Sequence, residues 1–306
     1  MTRNLRSVSG ELVLAASIIA GIVLPPVSSV LRPYLFVFVF FLMLFSLMTV
    51  ELRSALPDRD MSTRLAKVIA WQMVILPAAI GLWHRFVPGA GHWSELMFIT
   101  ACGGTIFGAT AFARVMHLDT LLTLRGIILG TLVMPLVLLL LVPLVTQRTA
   151  GFDFSAYAAR LCIFIVVPIV AAAAYQSKRR EASAGETRLF GRLTLFFLAL
   201  FGIAIMDGIG ARLVHQPWST LGLLVFALAV HGVFFGLSVL VFRRWGRREA
   251  LTAGLLSGYR NLAVVLAVGG SLLPPDFVTY TALWQIPMYV TPLIVRYVGK
   301  NRQATG

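Results

Sequence analysis

The sequence predicts an all-α membrane protein of about ten transmembrane helices, built as two inverted five-helix repeats whose fourth and ninth helices are discontinuous. Three observations predict it. The chain is 58% hydrophobic and 12% charged, with a mean hydropathy of +0.87, about half the charge a water-soluble chain carries. Its basic residues fall between apolar runs rather than on one face or tail. Two of those runs, at matching places in the two halves, are interrupted by glycine and polar residues.

A hydrocarbon core of about 30 Å needs about 20 apolar residues per helix. On that ruler the spans lie near 11–31, 34–50, 66–87, 94–115 and 121–145 in the first half. In the second they lie near 157–176, 189–212, 219–242, 249–272 and 276–297. The first follows Arg3 and Arg6 as a signal peptide would. No small-residue cleavage site comes after it and Pro25-Pro26 leads onward, so it reads as a true span. The third carries Gln72 and Pro77. Cys102-Gly103-Gly104-Thr105 through Gly108-Ala109-Thr110 interrupts the fourth, and Gly254 through Ser257-Gly258-Tyr259-Arg260-Asn261 interrupts the ninth. Prolines come late in the fifth (Pro135) and the tenth (Pro287, Pro292). The polar stretches 52–67 and 176–188 are loop-sized.

Placing the N-terminus in the cytoplasm puts twenty of the 26 Lys and Arg residues in cytoplasmic loops and five, Arg32, Arg85, Arg148, Arg160 and Arg212, outside. That asymmetry is the one cytoplasmic loops carry, so both termini are expected in the cytoplasm of a multi-pass inner-membrane protein. The net charge of +14 is then topological, and nucleic acid is not an expected partner. Ten spans divide near Gly151 into residues 1–150 and 151–306. Five is odd, so the second half enters the bilayer inverted.

Irregular backbone at membrane depth must be satisfied by protein or by water in a cavity. A broken helix also offers free N–H groups at one new end and free C=O groups at the other. Glycines there can instead serve close helix packing, and the match between halves favours a site. Arg260 is the sharpest residue, because an ionised side chain at that depth normally faces a cavity or a partner. It is expected to hold the anionic end of a solute or a carboxylate, with Asp207 the available acid. Thr105, Thr110, Ser257 and Asn261 complete the solute-binding candidates. His231 reads as a packing residue with a possible proton-relay role, Asp119 and Arg125 as an interfacial pair, and Trp71 as an interfacial anchor. Cys102 and Cys162 lie inside apolar runs and imply no disulfide framework. Nucleophile, zinc and Walker motifs are absent from the sequence, so neither an enzyme nor a nucleotide-driven pump is expected.

Several of these segments resemble the bile acid:sodium symporter family. They are Gln72-Met-Val-Ile-Leu-Pro77, Gly103-Gly104-Thr105, Ala113-Arg114 with Leu118-Asp119, Leu121 to Pro135, and Ser257-Gly258-Tyr259-Arg260-Asn261-Leu-Ala. The resemblance implies a core domain of spans 3–5 and 8–10 holding two crossing broken helices, and a panel domain of spans 1–2 and 6–7. It implies solute bound between the domains behind the crossover, with alternating access. Gln72, Thr123 and Asn261 fall on polar positions that the resemblance links to ion coupling. The departures are Leu256, where sodium-coupled members carry an acid, Arg260, where they carry Gln, and Ala109-Thr110, where they carry Ser-Asn. Arg260 is therefore expected to stand in for a coupling ion. The expected activity is secondary active transport of a small organic anion in a lipid bilayer, without a cofactor, coupled to sodium or proton if to either. Alternatives are an exporter of an inorganic or toxic oxyanion and a non-transporting sensor.

Overall fold

The computed structural model describes residues 13, 15–49, 59–87, 89, 91–146, 153–178, 183–288 and 291. Among them every regular element is helical. Six helices are long and apolar enough to cross a bilayer: Pro25–Met48, Thr63–Phe86, Thr120–Thr146, Phe154–Ser177, Gly185–His215 and Pro217–Trp245. Their outer faces carry many large apolar side chains. Leu132, Leu136, Leu140 and Leu144, one helical turn apart, are exposed at 48%, 58%, 65% and 72%. An exposed leucine stripe of that length belongs in lipid. The chain is a multi-pass α-helical membrane protein.

In chain order, α1 (15–23) ends at Leu24, whose backbone (φ −113°, ψ 69°) leaves the helical region because a proline follows. Pro25 then opens α2 (Pro25–Leu31), which continues through a 3₁₀ turn into α3 (Leu35–Met48). The neighbours of α11 (Ala184–Ile205) show where the chain reverses. An added Cβ on Gly202 would meet Ser17 and one on Gly210, in the helix that continues the same span, would meet Ile22, so α1 runs parallel to that span. Ser29 and Arg32 then bond Asp207, Phe38 meets Phe197 at a tilt and Phe45 stacks on Phe190, so α2–α3 runs back. The second span therefore starts at Pro25 rather than at 34, and the expected first span of 11–31 is cut at Leu24.

The third span is α4 (Arg59–Ala70), a π-helical turn over Trp71–Ile75 and α5 (Leu76–Phe86). Then come α6 (Gly91–Cys102), α7 (Ala109–Val115) and α8 (Thr120–Thr146). After these come α9 (Phe154–Leu161), a second π turn (Cys162–Val166) and α10 (Val167–Ser177). Asp153 caps α9, and a reciprocal Ser183–Glu186 capping box starts α11. Beyond α12 (Ile209–His215) lie α13 (Pro217–Phe242), α14 (Arg247–Gly258), α15 (Leu262–Gly269) and α16 (277–288). Pro292 and residues 147–152 lie outside the described residues.

Packing falls into two groups. One is α2, α3, α10 and α11; the other gathers α4 to α8 with α13 and α14. Between them runs α15, which touches α3 and α9, lies against Gly103 at the end of α6 through Val265 and Leu262 and is buried along its length. Trp71 is half-buried against α13. Its indole N–H donates to Ser238 Oγ of α13 at 2.7 Å.

Candidate functional site

Both interrupted spans are broken. The helix stops at Cys102 and resumes at Ala109, and it stops at Gly258 and resumes at Leu262. The two gaps cross as a two-residue antiparallel bridge between Thr105 and Arg260. Ile106 N–H donates to Tyr259 O at 2.8 Å, and Asn261 N–H donates to Gly104 O at 2.7 Å. Each gap thus satisfies backbone groups that lipid could not. Asn261 adds its side chain, whose Oδ1 accepts from Val264 N–H and caps α15.

Arg260 is fully buried. Its Nη1 donates to Gly103 O at 2.8 Å and its Nη2 to Gln72 O at 3.1 Å, while its guanidinium carbon lies 5.6 Å from the Phe234 ring centroid. Gly103 O belongs to the broken end of α6, where carbonyl dipoles favour a cation. The Gln72 carbonyl has a reason of its own to be free. In the π turn Leu76 N–H bonds Trp71 O, five residues back, so the next donor in register would be residue 77. Residue 77 is proline and has no N–H. The guanidinium takes the carbonyl that Pro77 leaves open.

Thr105 Oγ1 donates to Leu256 O at 2.7 Å and sits 3.4 Å from Gln72 Oε1. This ties the third span to both breaks. Behind the bridge runs α8, which presents Gly126 and Gly130. A Cβ on Gly126 would meet Leu256 at 2.8 Å, and one on Gly104 would meet Gly130 O at 3.3 Å. The small-xxx-small spacing of 126 and 130 lets α8 approach this closely. It was the legible signal for two positions that the sequence reading passed over.

The structure thus brings together Gln72, Thr105, Arg260 and Asn261. Ser257, buried on the last turn of α14, stands three residues from Arg260. Thr110 and Thr123 turn to their own backbone: the first hydroxyl donates to Phe107 O at 3.2 Å, the second to Asp119 O at 2.6 Å. Asp207 is taken by Arg32 at 2.8 Å, and no carboxylate pairs with Arg260 among the described residues. Asp119 caps α8 through the N–H groups of Leu121 and Leu122. His231 lies beside the Tyr259 and Trp284 rings with Nε2 2.7 Å from Thr291 Oγ1.

Three buried polar atoms around the crossover have no hydrogen-bond partner among the described residues: Arg260 Nε, Gln72 Nε2 and Ser257 Oγ. All three can donate. Unpaired buried donors beside an unneutralised guanidinium are what an anionic or strongly accepting guest would satisfy. Compared with models of known families and with curated proteins, the chain matches none.

Proposed function

We propose that the chain is a secondary transporter of a small organic anion, working by alternating access around the Thr105–Arg260 crossover. The observation that carries this reading is the positive charge of Arg260, buried where two broken helices meet and paired with carbonyls rather than a carboxylate. At an effective dielectric near 20, such a charge attracts an anion about 8 Å away by about 2 kcal/mol, enough to favour an anionic over a neutral solute. The unpaired donors of Gln72 and Ser257 offer it hydrogen bonds.

In this reading the protein has about ten spans in two inverted halves, resides in the inner membrane with both termini cytoplasmic, and moves one packing group against the other. Its relation to bile acid:sodium symporters is part of the same proposal, supported by the crossover and by the residues that form it. The guanidinium occupies carbonyl oxygens that a monovalent cation would otherwise draw on, so uptake proceeds without sodium.

Counterflow of labelled organic carboxylates in proteoliposomes tests the assignment. Wild-type protein is expected to exchange at least one of them, equally in sodium and in potassium. Arg260→Gln should cut exchange by about 30-fold, the equivalent of the attraction above, with the protein still eluting as a single species. Arg260→Gln combined with Leu256→Glu should make exchange respond to sodium. Exchange of neutral solutes only, or wild-type exchange in Arg260→Gln, would sink the proposal.

A further inference from the structure

A second cationic feature lies away from the crossover, where α13 turns into α14. The sequence there is Arg243-Arg244-Trp245-Gly246-Arg247-Arg248, with all four arginines exposed. The turn is rigidly set. Trp245 packs on Phe242 with centroids 4.5 Å apart, and Phe242 meets Trp71 edge-on at 6.5 Å. Gly246, at φ +107°, takes a backbone shape that other residues avoid. Arg248 donates to Leu118 O at 3.3 Å, and the one acid in the turn, Glu249, lies 3.9 Å from Arg64. Arg243, Arg244 and Arg247 reach no carboxylate among the described residues.

These arginines end a helix face that is exposed among the described residues. Val233, Leu237 and Leu240 are exposed on α13, and their spacing of four and three residues continues to Arg244 one turn later. One face therefore carries three aliphatic side chains and then a cluster of cations that pair with no carboxylate among the described residues. That order, apolar stem then positive end, complements an acyl chain joined to a phosphate. A second copy of the chain fits the face poorly, because a two-fold contact would bring this cluster against itself.

We propose that this face binds an anionic phospholipid, with its phosphate held by Arg243, Arg244 and Arg247 and its acyl chain lying along Val233, Leu237 and Leu240. The site is independent of what the crossover carries. Because α14 begins at Arg247 and ends at the crossover, the bound lipid anchors the base of the broken helix.

Native mass spectrometry of the full chain in a neutral detergent, titrated with dioleoyl phosphatidylglycerol or phosphatidylcholine, tests it. Phosphatidylglycerol should be retained and phosphatidylcholine not. Each arginine near a lipid surface is worth about fivefold, so Arg243→Gln/Arg244→Gln/Arg247→Gln together should weaken phosphatidylglycerol binding by about 100-fold. The control Lys178→Gln/Arg192→Gln, exposed residues elsewhere, should bind like wild type. Four results would overturn the proposal. They are equal retention of both lipids, wild-type binding by the triple variant, an equal loss in the control, and displacement of the lipid by soluble glycerol phosphate. A chain dimer that dissolves in the triple variant would reassign the face to a second copy and overturn it as well.

Discussion

Arg260, Gln72 and Pro77 form a dependency that reads in one direction. Pro77 withholds a hydrogen, the π turn shifts the register so that Gln72 O feels the loss, and the guanidinium repairs it from another helix. Pro77→Ala supplies the missing N–H inside the span and so competes with Arg260 for that carbonyl. Lost transport with little lost stability is the expected result, since the proline itself is costly within a helix. Measuring exchange and thermal midpoint on the same preparation checks it; unchanged exchange would separate the π turn from function. The polar cluster was partly legible in advance. Glycine beside threonine, arginine and asparagine at bilayer depth marked both breaks. Which hydroxyls face the site was not legible. Thr105 bonds across to Leu256, whereas Thr110 and Thr123 bond within their own segments. A lone threonine in an apolar run looks the same in either state.

At the scale of elements, helix starts and seams were set by local chemistry. Leu24 shows how. A ruler of about 20 residues places the first boundary after residue 31, but Pro25 imposes its own start and its predecessor cannot stay helical. The neighbouring seam is equally tight. An added Cβ on Gly21 would lie 2.6 Å from Ile203 O and 2.7 Å from Met206 Cβ, atoms fixed by the backbone of α11. Gly21→Ala should therefore destabilise the α1–α11 pair by about 1–3 kcal/mol, seen as a lower thermal midpoint. A midpoint equal to wild type would mean that α1 is free to shift. Loss of the capping box by Ser183→Ala should cost about 1 kcal/mol at the start of α11. Both the box and the Asp153 cap are readable as motifs. Asp153 also reports pH. The Ala156 N–H, then the Ser155 hydroxyl, hold its carboxyl below the ordinary range. Its help to α9 is present above the unfolded carboxylate pKa and is lost as pH falls through the lower folded value.

For the whole molecule, α15 is the seam between the two packing groups, and its far end is closed by an unusual contact. Gly270, left-handed at φ +53°, has no Cβ because the Arg160 guanidinium of α9 occupies that position. A cation there also suits the carbonyl end of α15. Arg160→Ala should loosen the seam, so that a cysteine placed by Leu266→Cys, at a position now buried, reacts several-fold faster with a water-soluble maleimide. An unchanged rate would mean that the seam is held elsewhere. Nothing in the sequence around Arg160 announced this role, because its partner is a backbone position 110 residues away.

The bridge between Thr105 and Arg260 also bears on biosynthesis. Gly104 and Ile106 emerge from the ribosome about 155 residues ahead of their partners Asn261 and Tyr259, which at 5–20 residues per second is about 8 to 30 seconds. Throughout that interval the early gap must keep its amides wet or shielded by the insertion machinery. A chain truncated before α14 is stranded in that condition, a ready substrate for membrane proteases however well its remaining helices insert.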